Sequence, residues 1–254
     1  MNILKDAYHR LRKQAKLVKY GGNRYTCPFC NYSAREMEPV GEDVPVNKEK
    51  EIVGAGLRDS GCYKCGSLDR ERLIYFYLRD YLKVFENKEL KILHMAPEKR
   101  LSAKLLEVGF SKYICGDYFT EGYSYPEHVQ HIDILHIPFE NETFDLVICN
   151  HVLEHIITDQ AAMVELRRVL KKGGKAILQV PISKNSPVTF EDFSVTDPKQ
   201  REIVFGQFDH LRIYGQDYPV RLASGGFKVD RINISSHYAK YGVNIDEDIF
   251  IGNK

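Results

Sequence analysis

The chain of 254 residues has 43% hydrophobic and 28% charged residues, the composition of a globular protein with room for one full domain and a small appendage. Thirty-six basic residues against 35 acidic ones leave a net charge of +1, so the molecule as a whole lacks the field that non-specific nucleic-acid binding requires. The sequence shows neither an apolar run of about 18 residues nor the pattern of a secretory leader, from which we expect no membrane span and a cytoplasmic location.

Residues 5–24 predict a basic amphipathic helix, because apolar side chains recur there at helical spacing while the remaining positions are mostly cationic. The cations are Lys5, Arg10, Arg12, Lys13, Lys16, Lys19 and Arg24. Two interpretations stay open. We favour a lead-in helix that packs on the neighbouring module, and the alternative is a contact with nucleic acid or a membrane surface.

Four of the six cysteines form two CxxC pairs, Cys27 with Cys30 and Cys62 with Cys65. A CxxC turn directs two thiolates at one ion, and two such turns complete a closed tetrahedral zinc site. With four protein ligands the zinc is expected to be structural, not catalytic. We therefore predict a basic helix and a small zinc-ribbon-like module over residues 1–68. The other two cysteines lie in apolar, strand-like runs and are expected to be buried.

A helix predicted over residues 69–85 bridges the module to the second domain, which we place at residues 69–254. The apolar stripe of this helix contains Leu73, Phe76, Tyr77, Tyr81 and Leu82, and Asp69 is expected to be the N-cap of the helix. From residue 90 onward, short apolar runs alternate with helical patterns, which is typical of βαβ units and a parallel sheet. The predicted strands are 90–95, 112–117, 128–133, 144–149 and 175–181. A helix is expected over 161–170, closed by the Lys-Lys-Gly-Gly stretch after it.

Two aspartates follow strands in this pattern. Ligands of open α/β sheets lie beyond the carboxyl ends of the strands, and an acid about 20 residues after the first strand can accept both ribose hydroxyls. Asp117 has this position. Asp133 follows the third strand, where it can meet the exocyclic amine of an adenine while Ile134 flanks the ring. Either aspartate alone would equally suit a loop or capping role.

The segments FDLVICNHVLEHI (144–156) and ELRRVLKKGGKAILQVP (165–181) resemble the fourth- and fifth-strand motifs of class I S-adenosylmethionine-dependent methyltransferases. The resemblance implies a Rossmann-like seven-stranded sheet with helices on both faces, a terminal antiparallel hairpin near residues 227–234 and 249–251, and S-adenosylmethionine as cofactor. The residues expected at the cofactor are Met95, Ala96, Pro97, Glu98, Asp117, Tyr118, Asp133, Ile134, Asn150 and His151.

The first loop departs from the family pattern. That pattern reads D-x-G-x-G-x-G, whereas this chain has no glycine between His94 and Glu98. Because such glycines let the backbone approach the cofactor, Ala96 and Pro97 alter its expected pose. Glu98 could instead attract the α-ammonium of the cofactor. We expect the cofactor to bind.

A long polar insertion at about 183–217 follows the fifth strand, where enzymes of this fold usually build the substrate site. We predict His210 as the base that serves the methyl acceptor, with Asp209 and Tyr214 as its catalytic neighbours. The competing interpretation is that this stretch begins a surface helix whose histidine and arginine are only exposed to solvent. His151 and His155 are four apart and are expected on one helical face near the methyl group. As a metal pair they are a weaker hypothesis, because no third ligand is evident.

Three functions remain open at this stage. The first is methyl transfer to a small polar or sugar-type acceptor, including glycans, because the insertion is rich in polar and aromatic residues. The second is an RNA methyltransferase of the ribosomal-RNA type, which the basic helix favours and the near-neutral total charge does not. The third is a non-catalytic module that binds the cofactor or a partner, which the missing glycines favour. Nothing in the sequence predicts the oligomeric state.

Overall fold

The computed structural model describes residues 3–119 and 124–254, and the side chains of residues 3, 4 and 6 lie outside that description. Within the described residues, no helix is long and apolar enough to cross a membrane. The amino-terminal part contains one long helix and short elements around the cysteines. Its elements are α1 (Ile3–Tyr20), β1 (Gly21–Thr26), β2 (Ser33–Ala34), β3 (Glu38–Val40), α2 (Pro45–Glu49), β4 (Ile52–Val53) and β5 (Arg58–Gly61).

Helix α1 forms as the periodicity predicts, but it ends at Tyr20, so Arg24 lies in β1. The expectation that its apolar stripe packs on the module is wrong. Leu11 is 70% exposed and Val18 is 82% exposed. Contact with the module is made near the end of the helix, where Lys16 pairs with Glu38 at 2.9 Å and the Tyr32 hydroxyl donates to a carbonyl of the last turn. The helix therefore carries its cations and its apolar stripe into solvent.

The bridging helix is shorter and begins differently from its prediction. Helix α3 (Asp69–Phe76) continues as a π-helical turn, Tyr77–Tyr81, followed by a 3₁₀ turn, Val84–Glu86. Leu68 is the N-cap, and Asp69 instead accepts two hydrogen bonds from the Arg58 guanidinium, at 2.8 and 2.9 Å. A bidentate, charge-assisted pair is stronger than a neutral cap contact, so the ion pair determines where Asp69 points.

The second part of the chain alternates strands and helices as predicted. Its elements are β6 (Lys91–Met95), α4 (Lys99–Val108), β7 (Lys112–Asp117), β8 (Val129–His131), β9 (Phe144–Cys149), α5 (Asp159–Val169), β10 (Leu170–Ile177), β11 (Ile182–Ser183), β12 (Phe190–Glu191), α6 (Pro198–Phe205), β13 (Arg212–Ile213), α7 (Tyr218–Ser224), β14 (Lys228–Ile232) and β15 (Ile249–Asn253). Further 3₁₀ turns span Leu153–His155 and Ser235–Tyr241.

The described residues form a seven-stranded sheet in the order β14-β15-β10-β9-β6-β7-β8. Strands β10, β9, β6, β7 and β8 are parallel, and β15 runs antiparallel between β10 and β14. The sheet and its terminal antiparallel hairpin confirm the predicted fold class. Because all five parallel strands point the same way, their carboxyl ends share one edge.

Helices cover both faces of this sheet, which the alternation of strand side chains requires. Ile92 of β6 belongs to a core that contains α3 and α4, whereas its neighbour Leu93 belongs to a core that contains α5 and α7. Successive strand residues point to opposite faces, and here both faces are apolar, so both must be covered.

Two predicted boundaries are wrong. Strand β8 has only three residues, so Asp133 lies beyond its end and not within it. Helix α5 ends at Val169, and the stretch after it is not a helix cap but an irregularity inside β10, where the pairing register with β9 shifts between Leu170 and Lys175. Gly173 takes a φ of 75° there, so the glycine serves a left-handed turn within the strand.

Residues 41–57, which we call the roof segment, connect the two cysteine pairs to the second domain. Strand β4 of the roof segment pairs antiparallel with β11. The Ser183 hydroxyl donates to the Lys50 carbonyl at 2.6 Å, and the Asn47 amide donates to the Gly206 carbonyl at 3.3 Å. The module therefore reaches over the sheet and contacts the insertion directly, which no local sequence pattern indicates.

Candidate functional site

The strand register places three predicted cofactor residues side by side. Met95 of β6 pairs with Gly116 of β7 and with Cys149 of β9. The residues that come next are Asn150 after β9, Ala96 after β6 and Asp117 in β7. In this order they lie side by side along the carboxyl edge, at a strand spacing of about 4.8 Å. This edge is where open α/β sheets hold nucleotides.

The two acids of the edge are held by their own turns and keep accepting capacity. Asp117 Oδ1 accepts the Phe119 amide at 3.3 Å, and Asp133 Oδ1 accepts the Leu135 amide at 2.8 Å. An ionised carboxylate has about four lone-pair sites, so each acid retains acceptors for a ligand. Ile134 is buried beside Asp133, whereas Tyr118 is exposed. Residues 120–123, which follow this turn, lie outside the described part of the chain.

The loop after β6 turns sharply without a glycine. Ala96 has a φ of 45°, in the left-handed region that glycine normally fills, and its amide donates to the Gly116 carbonyl at 2.8 Å. A non-glycine residue in this region costs roughly 1–2 kcal/mol, so the surrounding structure must compensate for it. The loop thus makes a left-handed turn at Ala96 although it contains no glycine.

Glu98 is engaged differently from its predicted role. Its carboxylate accepts His94 Nε2 at 2.8 Å and the Asn150 amide at 3.0 Å, and the His94 ring also contacts the Tyr113 hydroxyl. Burial raises the pKa of Glu98, but the contacts with His94 lower it more and hold it at about 2. Glu98 is therefore an ionised group that organises the loop. It has two partners inside the protein, and its contact with the α-ammonium of the cofactor stays a prediction.

Two buried polar atoms at this edge have no hydrogen-bond partner within residues 3–119 and 124–254. They are Asn150 Oδ1 and His151 Nε2. A buried polar group without a partner costs about 1–3 kcal/mol, and such groups often face a ligand site. Together with the free acceptors of Asp117 and Asp133, they fit a polar nucleoside ligand such as S-adenosylmethionine.

The four cysteines converge, as the spacing predicts. Cys27 Sγ lies 3.6 Å from Cys65 Sγ, and Cys30 Sγ lies 3.6 Å from Cys62 Sγ. Tetrahedral zinc with Zn–S bonds of about 2.3 Å requires sulfur separations of about 3.8 Å. All four sulfurs lie within 4.8 Å of one another, so the donor set and its spacing fit one zinc ion.

The two halves of this cysteine site are built alike. The Cys27 amide donates to Tyr32 and the Cys62 amide donates to Ser67, at 3.0 Å in both cases. Each loop also turns through a left-handed residue four positions after its first cysteine, Asn31 with φ 55° and Gly66 with φ 76°. The repeated turn explains how two separate CxxC pairs present matching sulfurs.

The Glu154 carboxylate, shortly after β9, lies near three imidazoles: those of His151 and His155 from the same segment and that of His210 from the insertion. Glu154 is 1% exposed, and its carboxylate lies 3.5 Å from His151 Nδ1 and 4.0 Å from His155 Nε2. The His155 ring also stacks edge-on against His210, with centroids 4.9 Å apart. Burial raises the pKa of Glu154, but the imidazoles lower it more, to about 2, so the carboxylate is ionised. We call Glu154, His155 and His210 the histidine–carboxylate cluster.

The predicted catalytic residues are only partly brought together. His210 is buried in the cluster, and Asp209 lies at its rim, 3.4 Å from His155 Nδ1. Burial lowers the pKa of His210 to about 4, so its imidazole is neutral near pH 7. Tyr214 is fully buried elsewhere, and its hydroxyl donates to Asp159 at 2.7 Å. Tyr214 thus makes a structural contact.

The histidine arrangement also differs from its prediction. His151 has a φ of 54° and precedes the short 3₁₀ turn that contains His155, so the two do not share a helical face. The sequence predicts Glu154 as an ordinary polar residue and places Arg212 as a cation beside His210, without indicating what Arg212 binds. The buried Arg212 guanidinium donates to the carbonyls of Leu153, Ile156 and Ile157 at 2.6–3.0 Å. It thereby fixes the loop that carries Glu154.

The module and the insertion both line the space beside His210. A small cavity beside His210 is lined by Asn47, Ile52 and Ala55 of the roof segment and, on the other side, by Phe205 and Arg212 among others. The zinc module therefore contributes to the shape of the site next to the cluster.

Comparisons with known proteins agree with this geometry. Residues 99–178 match the family described as "Methyltransferase domain". An uncharacterized protein of Methanocaldococcus jannaschii is 46% identical over 66 residues, which cover 25% of this chain and 28% of that protein. A protein of Encephalitozoon cuniculi that carries a methyltransferase name is 47% identical over 51 residues, 19% of this chain and 24% of that protein. The matches thus span about a quarter of the length of these curated relatives.

Among solved structures, an S-adenosylmethionine-dependent methyltransferase of Archaeoglobus fulgidus is similar with a TM-score of 0.48 and 14% identity, covering 72% of this chain and 94% of that one. The match to the methyltransferase-domain family runs from α4 to β10 of the seven-stranded sheet. The chain thus combines a Rossmann-like seven-stranded sheet, part of which matches this family, with a four-cysteine module before it.

Proposed function

We propose that the protein transfers a methyl group from S-adenosylmethionine to a hydroxyl of a small polar acceptor of the sugar type. The observation that carries the proposal is the position of the histidine–carboxylate cluster. Glu154 and His155 come four and five residues after Asn150, and His210 comes from the insertion. A small cavity beside His210 is lined by both the roof segment and the insertion, which favours a small acceptor or the end of a glycan over a bulky polymer.

In this proposal the cofactor supplies a methyl carbon made electrophilic by its sulfonium. Asp117 holds the ribose, Asp133 and Ile134 hold the adenine, and Asn150 and His151 meet the rest of the molecule. Proximity and alignment then provide much of the rate. The acceptor oxygen forms the new bond to carbon as the carbon–sulfur bond breaks, and the hydroxyl proton leaves toward the cluster around His210. Hydroxyl acceptors need such help because they are weak nucleophiles when protonated.

The experiment is an assay of S-adenosylhomocysteine formation with a panel of sugars, aminosugars and nucleotide-activated sugars. We expect turnover with a member of the panel, and we expect His210→Asn to lower turnover at least about tenfold while cofactor affinity stays within about twofold. Unchanged turnover in His210→Asn would remove the cluster from the mechanism. A panel without turnover, in protein that binds the cofactor, would remove the sugar acceptor.

An RNA acceptor is the second candidate, and the exposed α1 favours it. Apart from Lys16, which pairs with Glu38, its cations are exposed instead of packing on the module, and a basic surface of this kind attracts phosphates. The same assay with transcribed ribosomal RNA separates the two. RNA as acceptor predicts a steep fall of affinity with salt, and a sugar acceptor predicts almost none.

A further inference from the structure

We propose that Glu154, His155 and His210 bind one divalent first-row transition cation, separate from the zinc of the four cysteines. The inference rests on the proposed function in one respect: this cation takes over from His210 the activation of the acceptor hydroxyl. Ligand atoms of the three residues all lie within 4.8 Å of one another. Two imidazoles and one carboxylate are the donor set that Fe²⁺, Mn²⁺, Co²⁺ and Zn²⁺ accept in proteins.

The Glu154 carboxylate is an independent observation in favour of a ligand. Neither oxygen makes a hydrogen bond to any group in the described residues, although the side chain is 2% exposed. Buried carboxyl oxygens without a hydrogen-bond partner cost free energy unless a ligand compensates them. The buried Glu98, by contrast, has direct hydrogen bonds from His94 and Asn150. Both oxygens of Glu154 are therefore available to a cation.

The orientation of the His155 ring points to the same conclusion. Its Nδ1 lies 3.2 Å from the Asp209 carbonyl oxygen, which can only accept, so Nδ1 carries a proton in this contact. In the neutral ring the other nitrogen, Nε2, then presents a lone pair, and it faces Glu154 at 4.0 Å. A nitrogen and a carboxylate oxygen that face one another in this way are suited to share one cation. A backbone carbonyl that holds the second nitrogen is also the usual support of a metal-bound histidine.

The surroundings give the site a fixed frame and an opening. Arg212 holds the loop of Glu154 through three backbone carbonyls, so that ligand is held by a rigid loop. The side chain of His155 is 27% exposed, which leaves one side of the cluster open toward the rim. A bound cation at about 2.1 Å from each ligand draws the ligand atoms to roughly 3–3.5 Å of one another, and the half-exposed His155 ring is free to make that movement.

The cation changes the role of His210. As a ligand, His210 does not accept the hydroxyl proton. The cation instead binds the acceptor oxygen at its open position and lowers the pKa of the hydroxyl, and the released proton passes to Asp209 at the rim or to water. The deprotonated oxygen then attacks the methyl carbon, and the sulfur takes the electron pair of the broken bond. Charge and atoms balance without an oxidant or a reductant.

The test uses the full chain with its cysteine zinc in place. Titration with CoCl₂ is followed by visible absorption and with MnCl₂ by calorimetry. We expect one equivalent beyond the zinc, with cobalt d–d bands and no new thiolate-to-cobalt charge transfer. Glu154→Gln and the half-exposed His155→Asn should each weaken this binding at least about tenfold, while zinc content and circular dichroism show that both variants fold. His237→Asn, a surface histidine that contacts Tyr81, should bind the cation like the wild type.

Either of two results overturns the proposal: the wild type takes up no metal beyond the cysteine zinc, or the second equivalent binds Glu154→Gln as tightly as the wild type. The assay of methyl transfer described above, run on the same samples, keeps the two proposals apart. Cation binding without methyl transfer supports the cation site and counts against the proposed function. Methyl transfer by a protein that binds no second cation supports the function and sinks the cation site.

Discussion

Gly54 of the roof segment lies directly against the imidazole of His151. A Cβ built on Gly54 would come to 3.2 Å from His151 Cε1, and the φ of Gly54 is +91°, so the close approach and the backbone both call for glycine. The segment between the two cysteine pairs therefore touches the residue next to the cofactor edge. The four-cysteine module and the candidate site are parts of one structure.

Gly54→Ala should lower methyl transfer, because the new methyl group pushes on the His151 ring. Gly173→Ala is the matched control: its φ is +75° but a Cβ there meets nothing within 4 Å. Both substitutions should cost stability to a similar extent, roughly 1–2 kcal/mol from the strained backbone. Thermal unfolding and turnover are measured for both. An equal loss of turnover in the two variants would show that the contact with His151 is irrelevant.

Removal of a cysteine ligand should release zinc and loosen the roof segment. For Cys62→Ser we expect less than one zinc per chain by elemental analysis and a loss of several kcal/mol in the free energy of unfolding, since structural zinc binding is folding free energy. Cys115→Ser is the control, because Cys115 is buried in β7 away from the site. Full zinc content in Cys62→Ser, or equal zinc loss in Cys115→Ser, would contradict the four-cysteine assignment.

Much of this arrangement was accessible from the sequence, because it is local. Strand β9 begins at Phe144 and ends at Cys149 as its apolar run predicts, and the CxxC spacing predicts the zinc site. The position of Asp117 at a strand end follows from the same pattern. Each of these signals depends on neighbours within a few residues.

The rest depends on contacts between distant segments. The pairing of β4 with β11 joins two-residue strands about 130 positions apart, and a strand of two residues has no periodicity to read. Asp69 has the residue type of an N-cap, and only the position of Arg58 in space shows that it forms an ion pair instead. Glu154 stands in an apolar run that gives no sign of whether its carboxylate is buried.

Arg212→Lys should destabilise the protein and disturb the loop after β9. A lysine cannot donate to the three carbonyls that the guanidinium binds, so at least two of them lose their partner. We expect a loss of about 2–4 kcal/mol in the free energy of unfolding, measured by urea denaturation. Arg201→Lys, on the exposed helix α6, should change it by less than about 1 kcal/mol. A similar small effect at Arg212 would show that the loop does not need this anchor.

Glu247 should make stability depend on pH in the direction opposite to most acids. Burial and the neighbouring Asp69 raise its pKa to about 8, only partly offset by Arg58 and Arg70. The folded state therefore keeps a proton that the unfolded chain loses above its ordinary pKa of about 4.3, and this contribution to stability fades as pH rises toward 8.

Glu247→Gln removes that titration. The variant should gain stability relative to the wild type between pH 5 and pH 9, by on the order of 3 kcal/mol. Thermal unfolding of both proteins over this pH range measures the difference. A difference that stays constant with pH, or that shrinks as pH rises, would show that Glu247 is ionised in the folded protein.

The central claim is that the edge formed by Ala96, Asp117 and Asn150 binds S-adenosylmethionine. Calorimetric titration of the zinc-loaded wild type with S-adenosylmethionine, beside Asp117→Ala and a surface control, Asp192→Ala, tests it most directly. We predict saturable one-to-one binding to the wild type and to the control, weakened by about 10- to 100-fold in Asp117→Ala because a charged hydrogen-bond acceptor is lost. No binding to the wild type at millimolar cofactor, or equal affinity in all three proteins, would contradict the claim.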